Sequence, residues 1–263
     1  LIDTTYVNSY IPVAEVTITS EDPYTVIPRT RADRPFSVSI STSGMSDDPN
    51  ANEAASSVKL IRHVQSYGPG GTGSNIDRSL ATLLTQGSLQ DNGTHEFEYS
   101  LSSVPGGDRT KIRGEERFSV FSLADYQAPE SQLDSATIQV WPIAESTISG
   151  ITNNTTIKGI APEVSVALVD LYPDSWTYAQ VYPGEPVLGT EGDIVPGSSI
   201  LIDGTIPRDE TVVLADWDSV IKEDGTYTLE IITVTPFGAD RLSYRTFEVA
   251  RTIHLNGAVT SVE

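Results

Sequence analysis

The side chains able to do chemistry are few, and their spacing argues against most of it. There is no Cys, which removes disulfides, thiolate metal sites and a Cys nucleophile. His63, His95 and His254 are far apart and show no metal-binding spacing. The run Gly68-Pro69-Gly70-Gly71-Thr72-Gly73 formally satisfies G-x-G-x-x-G. A dinucleotide site needs that turn inside a βαβ unit, however, and Pro69 stiffens what reads as a long hairpin loop. No G-x-S-x-G elbow occurs. No catalytic residue is assigned.

Acid pairs are plentiful: Asp47-Asp48, Glu115-Glu116, Asp209-Glu210, Asp216-Trp217-Asp218 and Glu223-Asp224. All read as loop charge. Glycoside hydrolysis requires two carboxylates facing across a cleft, which adjacency in sequence cannot supply. Asp216, Asp218 and Asp224 could furnish part of an oxygen shell, so calcium is the ion they would suit, although no D-x-[DN]-x-[DN]-G loop is present. Solvated charge is the reading taken, and no cofactor is expected. The densest aromatic group is Trp176, Tyr178 and Tyr182, with Tyr172 nearby. Their even spacing puts them on one side of a strand, where stacked rings can hold a pyranose of a host glycan. Filling a sandwich core is the commoner role of such rings and the one preferred here.

The elements that must position these groups are strands. Apolar and polar residues alternate with period two between turn residues at Val13, Glu15–Ile18, Phe36–Ile40, Val58–Val64, Phe97–Leu101, Phe118–Leu123 and Ile138–Trp141. One stretch, Leu80, Leu83 and Leu84 after Asp77, has helical spacing. A short helix and a strand or loop both remain open there.

The second half repeats the first. Gly114, Phe118, Val120, Phe121 and Leu123 recur as Gly225, Leu229, Ile231, Ile232 and Val234, and Thr137–Val140 recur as Thr246–Val249. The expected fold is all-β, with two tandem immunoglobulin-like or fibronectin type III-like antiparallel sandwiches over 1–143 and 144–263. The junction falls at Pro142-Ile143-Ala144-Glu145. Thr252–Gly257 echoes Thr147–Gly150, so a further module or an edge strand is expected near the end.

Sixteen Lys and Arg against 36 Asp and Glu give a formal charge of −20. Such a surface repels polynucleotides and anionic membranes, and no apolar run is long enough to span a bilayer. Leu1–Tyr6 lacks the basic and apolar regions of a secretory leader, which suggests a processed chain or a portion of a longer one. Leu1, Ile2, Tyr6, Val7 and Tyr10 make an apolar, aromatic segment with few charges, a candidate assembly arm that would pair with a neighbour's sheet edge.

Val58–Gly68, Arg113–Phe121 and Tyr126-Gln127-Ala128-Pro129 resemble virion structural proteins of marine cyanophages with contractile tails. The resemblance implies a non-enzymatic, β-rich component of capsid, neck or tail surface. It would sit in the virion, in contact with other subunits and with a host glycan. The alternative reading is a fragment of a multi-module bacterial surface adhesin, outside the cell. A glycan-binding or glycan-hydrolysing protein comes third.

Overall fold

The computed structural model describes residues 11–46, 48, 58–67, 82–83, 92–99, 113–123, 129–202 and 209–252, with backbone alone for 62–67, 82–83, 95–99 and 113. The segment Leu1–Tyr10, the glycine loop 68–73, His254 and the echo at 253–257 lie outside the described residues. The chain divides into two compact units, Leu1–Ile143 and Ala144–Glu263.

In the first unit the strands are β1 (Val13–Ser20), β2 (Arg29–Arg31), β3 (Phe36–Ser43), β4 (Val58–Tyr67), β5 (Thr82–Leu83), β6 (Gly93–Tyr99), β7 (Arg113–Ser122) and β8 (Gln132–Trp141). One sheet has the order β1-β3-β6 and the other β2-β8-β7-β4-β5. Strict alternation in β1 turns Ala14, Val16 and Ile18 inward, and in β3 it turns Phe36, Val38 and Ile40 inward. These meet Val58, Leu60, Phe118, Val120 and Ile138 from the opposite sheet. The rings of Phe36 and Phe118 cross edge to face at 5.8 Å.

The second unit has β9 (Glu145–Ser149), β10 (Thr155–Ile157), β11 (Val164–Val169), β12 (Trp176–Pro183), β13 (Asp193–Ile194), β14 (Ile200–Leu201), β15 (Glu210–Leu214), β16 (Gly225–Thr235) and β17 (Gly238–Val249). Its sheets are β9-β11-β15 and β10-β17-β16-β12-β13, with β14 also on β12. Both units therefore oppose a three-stranded sheet to a larger one. In both, a short strand runs parallel to the last strand: Arg29–Arg31 beside Gln139–Trp141, and Thr155–Ile157 beside Phe247–Val249. All other pairings are antiparallel among the described strands. This is the strand order of an immunoglobulin-like or fibronectin type III-like sandwich. The fold is all-β.

The repeat extends to register. Gly114 pairs with Val140 as Gly225 pairs with Val249. A β-bulge follows Val120 in one hairpin and Ile231 in the other, at matching positions. Leu133 and Leu242 are the residues skipped by the ladder, and each packs against its own core. Val120, Val140, Ile231 and Val249 are all buried, as the repeated alternation requires.

One open alternative is decided and one expectation changes. The described part of the Leu80–Leu84 stretch, Thr82–Leu83, is strand and pairs with Ile61 and Arg62; two residues on a sheet edge meet β4's hydrogen-bonding need better than one isolated turn of helix. Glu115-Glu116 is not loop. It lies in β7, where the period that buries Phe118 and Val120 also turns Glu116 inward, to 1% exposure. No α-helix occurs among the described residues, and none of their helices is long and apolar enough to cross a membrane.

Candidate functional site

β12 carries two faces with different chemistry. Ala179 and Val181 enter the core cluster, so Trp176, Tyr178, Gln180 and Tyr182 share the opposite, outer face of the sheet. Across the ladder Tyr178 sits opposite Ile232, Gln180 opposite Glu230 and Tyr182 opposite Thr228. One strand further, Ile232 is opposite Arg241 and Glu230 opposite Tyr244. The preferred expectation, that these aromatics fill the core, is thus corrected for Trp176 and Tyr178, while Tyr182, though on the same face, is buried at 3% exposure and is not placed to touch a glycan. The even positions point away from the core because Ala179 and Val181 hold the odd ones inside. Tyr172 does go inward, at 1% exposure, edge to face with Phe237 at 5.2 Å.

Trp176 and Tyr178 form a tilted ring pair with centroids 4.5 Å apart, and Trp176 is 39% exposed. Below them on the same face lies a buried polar network centred on Glu230, itself 1% exposed. Gln180 Nε2 donates to Glu230 Oε1 at 2.6 Å, Tyr182 OH to Oε2 at 3.2 Å, and Arg241 Nη1 to Oε2 at 3.3 Å. A buried carboxylate is tolerable only when paired and hydrogen-bonded, and here three donors meet it. Arg241 in turn lies over the Tyr244 ring, 4.7 Å from its centroid. Burial first, and then the charge of Glu230, push the Tyr182 phenol above its ordinary 10.0, so it stays a hydrogen-bond donor at neutral pH.

The segment after β12 folds back over this network. Gln180 Nε2 also donates to Thr190 O at 2.9 Å, Gly192 N donates to Gln180 Oε1 at 3.3 Å, and Tyr182 OH reaches Val187 O at 3.4 Å. Gly192 must be glycine for this approach, since a Cβ there would stand 2.8 Å from Val181 O and 3.2 Å from Tyr182 Cδ1. The loop thereby fixes the strand that presents Trp176 and Tyr178. Chemically the face can stack rings and accept contacts. Glu230, saturated by three donors, is not presented to solvent as an acid or base.

The acids weighed for calcium serve the protein instead. Asp218 pairs with Arg251, while Asp224 accepts Arg251 N and Thr252 N at 2.8 Å each. The hydrogen bonds of Thr252 and Arg251 hold the Asp224 carboxyl below its ordinary 3.8. Asp216 precedes a 3-10 turn, Trp217–Val220, with φ of 52°. That turn sinks Trp217 into the core, edge to face with Phe247 at 5.1 Å, its Nε1 donating to Pro162 O at 3.0 Å. Among the described residues no three His, Cys, Asp or Glu side chains gather as metal ligands.

Sequence reasoning missed Gln180, Glu230, Arg241 and Tyr244. One signal was available: Glu230 is a lone acid inside the apolar run Leu229–Ile232. The register of Arg241 and Tyr244 was hidden by the bulge at Leu242.

No family model matches the sequence, and no curated protein matches it. Among solved structures, the chain is similar to the fibronectin(III)-like modules of CbhA from Clostridium thermocellum, with 11% identity over 95% of this chain and 100% of that one, TM-score 0.27. It is also similar to the C-terminal domain of the antigen I/II polypeptide BspA from Streptococcus agalactiae, with 8% identity over 90% and 100%, TM-score 0.35. A third likeness is to latent PorU from Porphyromonas gingivalis, with 10% identity over 92% of this chain and TM-score 0.28. The chain spans only 20% of the PorU chain. The class of the fold rests on the strand order and register of the chain itself.

Proposed function

We propose that this chain is a non-enzymatic structural or adhesive protein. It works through contacts of its sandwich surfaces with other subunits or with a host glycan, as a component of a phage virion surface on capsid, neck or tail. The observation that carries the reading is the Trp176–Tyr178 pair. It is turned away from the core, with Trp176 exposed and Tyr178 half-buried, and braced from below by the Glu230 network and the loop from Gly184 to Gly192. A rigid outward aromatic pair is what a sugar ring or a partner's apolar residue requires, because little side-chain freedom is lost on contact. The segment carrying Leu1, Ile2, Tyr6, Val7 and Tyr10 is proposed as an arm that pairs with a neighbour's edge.

The duplicated frame equally suits a fragment of a multi-module bacterial adhesin, and the cell fraction in which the chain is found separates the two. The contact role is tested by Trp176→Ala with Tyr178→Ala, measuring retention of the purified chain on host-cell surface polysaccharide. The expected result is at least about a fivefold loss of binding, since each ring contact contributes roughly 0.5–1.5 kcal/mol. Unchanged binding would refute the assignment of this face.

A further inference from the structure

A cavity of about 480 Å³ runs along the edge of β17 and is lined by Asn153, Arg241, Leu242, Ser243, Tyr244 and Arg245. Five consecutive residues of one strand form its wall, so the cavity is a groove parallel to the strand. β10 covers only Phe247–Val249, and among the described strands none pairs with Arg241–Arg245 on the side away from β16. Where β10 ends, loop atoms continue the ladder: Thr246 N donates to Asn153 Oδ1 at 3.1 Å, and Asn154 N donates to Thr246 O at 2.9 Å. Backbone direction alternates with period two, so the amide of Tyr244 faces the same side. Its carbonyl there accepts Arg245 Nη1 at 2.8 Å.

The groove is also cationic, in a chain of charge −20. Arg241 is held by Glu230, but the described partners of Arg245 are carbonyl oxygens, Tyr244 O and Ile148 O. The first unit provides an internal comparison. At the matching positions of β8 it has Gln132, Leu133, Asp134, Ser135 and Ala136, with neither arginine nor tyrosine. There Asp134 Oδ2 accepts Val16 N at 2.7 Å, tying that edge to its own unit. In the second unit the residue matching Asp134 is Ser243, whose Oγ meets Ser146 Oγ at 2.5 Å, and Arg245 Nη2 donates to Ile148 O at 3.3 Å. The same frame thus carries an acid on one edge and two guanidinium groups on the other.

We propose that the edge of β17 from Arg241 to Arg245 is a docking groove for an extended acidic peptide segment of a partner. The segment adds as a strand: backbone bonds to the β17 edge supply register, and carboxylates on its two faces meet Arg241 and Arg245. This goes beyond the outward aromatic face. It rests on the contact-making role proposed above for its setting only, so peptide binding and polysaccharide retention can fail separately.

The test uses the full chain and an end-blocked ten-residue peptide of Glu, Val and Thr, with binding followed by titration calorimetry and by amide exchange. Binding should slow exchange at the outward-facing amide of Tyr244 and weaken steeply as salt is raised. The same peptide with Lys for Glu, or with two central prolines, should lose at least about tenfold in affinity, because charge or backbone donors are removed. Arg245→Ala should raise the Kd by about three- to fivefold at low salt, and its thermal unfolding checks that the fold is kept. Equal binding of the Lys or Pro peptides, exchange changes confined to other strands, or full competition by sodium glucuronate would overturn the proposal. The last outcome would show a carboxylate pocket for an acidic sugar instead.

Discussion

Replacing Arg241 by Met removes the cation from a carboxylate that cannot reach water. At 3.3 Å and an effective dielectric of about 20, the gross attraction between Arg241 and Glu230 is about 5 kcal/mol. The Arg241 side chain is 20% exposed while that of Glu230 is 1% exposed, so solvent screens a good part of it. A net loss of about 2–3 kcal/mol follows, smaller than for a fully buried pair. For a unit of about 120 residues the unfolding entropy is about 0.25 kcal/mol/K, so the second unit should melt roughly 8–12 °C lower. Hydrogen exchange of the β16 segment, Gly225–Thr235, reads that unit's own opening. Adding Glu230→Gln to Arg241→Met should restore at least about 1 kcal/mol, because the orphaned charge is gone while an acceptor for Gln180 or Tyr182 remains. A single-variant loss below about 0.5 kcal/mol, or a double variant no better than Arg241→Met, would refute the reasoning.

Other outcomes follow from single contacts. Phe118→Ala empties a fully buried site against Phe36 and should cost the first unit about 3–5 kcal/mol, read by exchange in β7. Gly150 has φ of +97°, and a Cβ there would fall 2.0 Å from Glu163 O, so Gly150→Ala should destabilise by at least about 2 kcal/mol in urea titration. Burial raises the Asp33 carboxyl, but the hydrogen bond and charge of Arg31 outweigh it, and the group is held below its ordinary 3.8. A lowered carboxylate stabilises the fold above the unfolded value and loses that contribution as pH falls through the folded one. The gap in urea midpoint between wild type and Asp33→Asn should therefore be full at pH 6 and shrink below pH 3.8. A gap that widens on acidification would contradict the pairing.

The hairpins were legible because period two survives wherever one face is buried. Phe118 and Val120, and Leu229 and Ile231, show their face directly, and their repetition makes the duplication visible in the sequence. Glu116 was misread because adjacent acids signal a loop, whereas strand alternation separates them, one half-exposed and one buried. The aromatic group was placed correctly on one strand side but on the wrong side of the sheet. Periodicity tells which residues share a face, not which face meets the core. The Glu230 network joins three strands, and its register depends on a bulge whose extra residue, Leu242, looks like any other apolar position. Short-range pattern cannot show a contact whose partners are fixed by pairing between distant strands.

The measurement that bears most directly on the proposed role is quantitative mass spectrometry of density-purified particles and of host envelope fractions from the same culture. The account predicts that this chain sediments with the particles at a constant ratio to their major subunit through successive gradients. Recovery in the envelope fraction, with particles free of the chain, would contradict it.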